Sequence, residues 1–192
     1  MTDVAPLHAD PERRLAAAHA IAVDVPDVDV DALAAEISAS FDLLRNEGVR
    51  LCGRLPVEDP GASATVTVAV RALAPTDDRS GSFSERAIAA LRDDTAVRRP
   101  LADTRAIDLP CGPAVASLVF GEFELLPGTV PSFRAEFLVP TPEWDGVVVV
   151  DVQTTDEAAW PEASQEAVRI ARSLRFLDDG ETAREGEHLL RL

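Results

Sequence analysis

Lysine and tyrosine are absent from this chain, methionine occurs once, and all 18 basic residues are arginine. Without lysine no Schiff base can form on the chain, and no P-loop can complete its phosphate cradle. No Gly-x-Ser-x-Gly elbow is present, which disfavours an α/β-hydrolase, and no glycine fingerprint for a dinucleotide follows any segment with strand periodicity. The two cysteines, Cys52 and Cys111, cannot build a disulfide framework, and neither has metal-ligand spacing around it. They read as free thiols in a reducing compartment. The three histidines, His8, His19 and His188, sit in the two end segments, outside the segments that read as core. No apolar run approaches the roughly 20 residues that a membrane-spanning helix needs. Arg13-Arg14 followed by Leu15-Ala16-Ala17-Ala18 has a trace of a secretory signal, but Asp3, Asp10 and Glu12 precede it and His19 interrupts it. These absences point to a cytoplasmic chain that does not enter a membrane and needs no cofactor.

What is abundant is acid. Thirty-four carboxylates against 18 arginines leave a net charge of −16 and a pI near 4.4. Such a surface repels phosphate backbones and anionic membrane surfaces, so no nucleic-acid partner and no membrane partner is expected. It favours solubility, and it would steer a basic protein partner. With 192 residues, 46% of them hydrophobic, the chain suits one folded domain that buries about 70% of its unfolded surface.

The stretch over residues 111–177 organises the rest. Residues 114–125 place Val119, Phe123 and Leu125 on one parity and Leu118 and Phe120 on the other. Residues 132–139 alternate Phe133, Ala135, Phe137 and Val139 with Arg134 and Glu136, and residues 146–154 carry the run Val147-Val148-Val149-Val150. Period-2 patterning in β-branched and aromatic residues indicates half-buried strands, and the short turn-rich links between them allow only antiparallel neighbours. A helix over about 161–175 closes this meander, with Trp160, Ala163, Ala167, Ile170, Ala171 and Leu174 on one face. Upstream, residues 31–47 form a helix with Leu33, Ile37, Phe41 and Leu44 as its stripe and Gly48 beyond its end. Strands over 49–55 and 64–73, a helix from the capping box Ser82-Phe83-Ser84-Glu85 to about Asp93, and a strand over 104–109 follow. The expectation is an α+β fold: a central antiparallel sheet of about six strands, ending in a three-strand meander, flanked by helices. Residues 1–30 read as an acidic arm with one short helix, 31–177 as the single domain, and 178–192 as a charged tail.

Candidate chemistry is sparse. Asp27, Asp29 and Asp31 alternate like the opening of a calcium loop, but that loop needs Gly at its sixth position and Glu at its twelfth, where this chain has Ala32 and Ser38. The aspartates read as a solvated linker whose end caps the next helix. Cys111 stands at a strand entry beside Asp108, with no cation to activate its thiol, and reads as part of a Pro-bounded turn. No catalytic, cofactor-binding or metal-binding residue is assigned. The candidates for partner contact are Trp144, at the tip of the loop 141–145, and the acidic residues Asp24, Asp27 and Asp29. Trp144 can instead fold back over the edge of the meander.

Three stretches carry a resemblance: Asp108-Leu109-Pro110-Cys111-Gly112-Pro113-Ala114-Val115, then Phe137-Leu138-Val139-Pro140-Thr141-Pro142, and the valine strand leading to residues 166–176. Together they resemble high-GC bacterial proteins of the PsbP-like fold family, which includes a photosystem accessory protein, a Ran-release factor and Eag-type effector chaperones. The resemblance spans roughly 31–177 and implies an antiparallel sheet sandwiched between helices, in proteins that mostly bind other proteins and share no active site. It transfers no functional residue, because the matching positions are turns, strands and a helix. The resulting expectation is a non-enzymatic protein-binding or adaptor module. The alternatives are an acidic immunity-type inhibitor of a basic toxin and a small-ligand binder.

Overall fold

Valine-rich stretches with a two-residue period must bury two faces, and in the computed structural model they pair into one sheet. Residues 3–5, 10–23, 28–55, 57, 64–73, 83–99, 102–125 and 128–176 are described. They form β1 (Asp3–Ala5), α1 (Pro11–Ala22), α2 (Val30–Asn46), β2 (Val49–Leu55), β3 (Ala64–Ala72), α3 (Phe83–Arg98), β4 (Asp103–Leu109), β5 (Gly112–Leu125), β6 (Gly128–Pro140), β7 (Gly146–Thr154) and α4 (Trp160–Ser173). The sheet order is β1-β2-β3-β7-β6-β5-β4, and every neighbouring pair is antiparallel. The class is α+β, with β5, β6 and β7 as the meander. Six of the strands are those expected from the sequence. The seventh, β1, lies in the segment read as an arm and pairs with β2 through Asp3↔Arg54 and Ala5↔Cys52.

The period of two divides the valine run between two cores. Val148, Val150 and Val152 join Val66, Val68, Ala135, Phe137 and Val139 on the face that receives α4, where Ala163, Ala167 and Ala171 are fully buried. Small residues at every fourth position let the helix axis approach the valines closely. Val147 and Val149 face the other way, with Val49, Ala69, Val115 and Leu138, against Ala18 and Ala22 of α1, Ala34 and Phe41 of α2, and Ile88 of α3. The result is three layers, α4 on one face and α1–α3 on the other. Helix α1 is fastened to α2 by Arg14, whose guanidinium donates to Asp42 at 2.8 Å, and by His19 at 3.8 Å from Asp31.

Local departures from the sequence reading have clear causes. Helix α3 passes Asp93 and runs to Arg98, ending one residue short of the Arg99-Pro100 pair; its Thr95 bonds back to the Leu91 carbonyl at 2.7 Å, a geometry that keeps threonine in a helix. Strand β6 starts at Gly128, ahead of Pro131. Because β7 ends opposite Phe133, β6 has a ladder on one side only at Pro131, the setting in which a strand tolerates proline. Asp24, Asp27 and the tail 178–192 lie outside the described residues.

Candidate functional site

Helix α4 lies mainly over β7, β6 and β3 and meets β5 through Trp160, its first residue. On that side of the sheet the inward parity of β5 and β4 presents Ala116, Leu118, Phe120 and Ile107. Most are half-buried, but Phe120 keeps 49% of its surface exposed. Register sets Phe120 opposite Phe133, and Trp160, the first residue of α4, closes on both. The ring centroids are 6.0 Å apart for Phe120 and Phe133, 5.7 Å for Phe120 and Trp160, and 5.9 Å for Phe133 and Trp160. Phe120 meets both neighbours edge-on, and those two rings stack at 29°. Edge-to-face contacts of this kind hold a ring in one orientation while one of its faces stays open.

The same place is where the sheet thins. Strand β4 begins opposite Leu118, just after the Ala102 N–H donates to the Arg99 carbonyl at 2.9 Å where the chain leaves α3. Beyond it, residues 119–125 of β5 have no neighbour on that edge among the described residues. On the far side β7 stops at Thr154, opposite Phe133. From Gly121 and Ser132 outward, the hairpin therefore continues as a two-stranded ribbon, with Glu122 exposed on the same parity as Phe120.

The opposite face carries a polar row. Register aligns Cys52, Thr67, Asp151, Glu136, Ser117 and Thr104 side by side across six strands. Glu136, only 5% exposed, accepts two bonds from Arg99 at 2.7 and 2.9 Å and one from Arg134 at 3.2 Å, while Arg134 Nε donates to Asp151 at 2.6 Å. Thr104 and Ser117 hydroxyls lie 3.2 Å apart. Burial pushes the Asp151 carboxyl above the ordinary carboxylate range, against the opposing pull of Arg134 and then Arg99. The quartet is charge-balanced, and both guanidinium groups are already engaged by carboxylates. Its chemistry is to fasten the end of α3 to β6 and β7.

The residues singled out from the sequence are dispersed. Trp144 sits in the β6–β7 turn at a φ of 60°, and its half-buried side chain packs on the α1–α3 core. That turn is tied by Thr141, which donates to Asp145 at 2.8 Å and accepts from the Gly146 N–H at 3.1 Å. Asp29 is the N-cap of α2, accepting from the Asp31 and Ala32 N–H groups at 3.1 Å each. Cys111 lies in the two-residue β4–β5 turn, where burial pushes its thiol up and the charge of Arg175 opposes that only in part. Among the described residues no three His, Cys, Asp or Glu side chains are grouped to hold a metal, and no helix is long and apolar enough to cross a membrane. The Phe120–Phe133–Trp160 group was not singled out from the sequence. Its signal is the two-residue link 126–127, which sets Phe120 against Phe133 once β6 is started at Gly128. A scan against protein-family models and a search of curated proteins find no match to this chain.

Proposed function

We propose that this chain is a non-enzymatic, cytoplasmic protein-binding module whose contact surface is the apolar strip of β5 beside α4. One observation carries the reading: Phe120 is held by Phe133 and Trp160, yet half of it stays exposed at the flank of the sheet where α4 begins. Rigid aromatic side chains in partly open apolar surroundings are the usual anchors of protein contacts. The net charge of −16 favours a basic partner, and an acidic inhibitor of a basic toxin is the second form the reading takes. The likeness to the PsbP-like family belongs to the same proposal, supported by an antiparallel sheet with helices on both faces.

The test compares two baits in the native cell extract, the wild-type chain and Phe120→Asp, with Gln153→Ala on the opposite face as control. A basic protein retained by wild type and by Gln153→Ala, lost with Phe120→Asp and released as salt rises, is the expected result. Identical retention by all three baits would refute the assignment of this face.

A further inference from the structure

Beside Phe120 the outer edge of β5 has no pairing strand among the described residues. Residues 119–125 of β5 carry a row of peptide groups that β4 does not reach, because β4 starts at Asp103, opposite Leu118, soon after α3 ends. On the other strand of the hairpin β7 has also ended, so among the described residues this ribbon holds a single ladder, between β5 and β6. A two-stranded ribbon is marginal by itself, and a third strand would satisfy its outward N–H and C=O groups. Natural edges are blunted by charge and by brevity. Strand β4 is charged, with Arg105 forked onto Asp103 at 2.9 and 2.7 Å, and β1 is three residues long. The β5 overhang has instead a half-exposed aromatic ring, then Gly121, then the exposed Glu122, with Glu124 next on the same parity in the sequence.

We infer that residues 119–125 of β5 take up an extended segment of a partner protein as an added β-strand, a segment that carries an apolar side chain and, two residues along, a basic one. The inference rests on the protein-binding reading above and names the partner's chemistry. An added strand sends alternate side chains to one face. On the Phe120 face the first of these meets the aromatic group, and the next meets Glu122, which selects an arginine or lysine. A second copy of this chain is the wrong occupant: it would set Glu122 of one β5 beside that of the other, between two bodies each of charge −16.

The test uses the full chain and a displayed library of random peptides of about ten residues, a length that covers the edge. Peptides are selected on wild type and counter-selected on Phe120→Asp, whose folding is verified by its melting curve. Selected peptides are then resynthesised with alternate backbone nitrogens methylated, in either of the two possible sets. A strand added to β5 turns one set toward the sheet and the other away. Methylating the first set weakens binding to unaltered protein at least about tenfold, whereas methylating the second changes it by less than about threefold. The bound peptide also slows hydrogen exchange at alternate amides within residues 119–125. Peptides that require Phe120 but tolerate both methylation sets would overturn strand addition and leave the binding face standing. A selection that yields no peptide dependent on Phe120 would overturn both.

Discussion

Asp151 is the residue where burial and charge compete most directly. Its carboxyl lies above the ordinary range because desolvation outweighs the pull of Arg134. Between the ordinary carboxylate value and the raised one, the folded chain holds a proton that the unfolded chain has released. This group therefore makes stability fall as pH rises through that window and recover as pH drops back through it. Asp151→Asn removes the effect. Denaturant unfolding from about pH 7 down to about pH 4 should show wild type gaining on the variant as acid is added, and parallel curves would contradict the raised pKa. Gly48 is a second decisive position. It sits at a φ of +83° just past α2, its carbonyl accepts the Val70 N–H at 2.9 Å, and a Cβ there would lie 2.3 Å from the Val70 oxygen. Gly48→Ala is expected to lose about 2 kcal/mol or more, read as a fall in the denaturation midpoint.

At the level of elements, α4 shows how spacing alone positions a helix. Ala163, Ala167 and Ala171 recur every fourth residue and are fully buried against the valines of β3 and β7, while Val168 on the outer side is exposed. Ala167→Leu should destabilise by about 1–3 kcal/mol through overpacking, and Val168→Leu should stay within about 0.5 kcal/mol; equal melting temperatures for the two variants would mean that α4 is not seated as described. The helix stripes and strand alternations were legible in the sequence because each depends on residues a few positions apart. Element ends were less so. Helix α3 outruns its acidic stretch because nothing between Asp94 and Arg98 breaks a helix, and β6 continues through Pro131 because its neighbour on one side has already stopped.

For the whole molecule, the dominant quantity is charge. A surplus of 16 negative charges repels itself in the compact state, and salt screens that repulsion. The melting temperature should therefore rise by several degrees between low and roughly half-molar sodium chloride, followed by calorimetry; a fall would show that paired charges such as Arg99–Glu136 outweigh the surplus. Phe120→Asp gives up two edge-to-face contacts and adds one charge, so it is expected to abolish partner binding and to lower the melting temperature by a few degrees while keeping its rise with salt.

By itself the sequence determined the class of the fold, the antiparallel meander, the inward face of α4, and the acidity of the chain. These follow from local periodicity and from composition, which need no knowledge of distant contacts. Only the tertiary structure decided which strands lie side by side, and hence that Arg99, Glu136, Arg134 and Asp151 meet although they come from two strands and a helix end. It likewise decided that Phe120 is left half open, because coverage depends on where α4 crosses the sheet and on where β4 stops. Both are set by pairings between residues far apart in the chain, which no local pattern encodes.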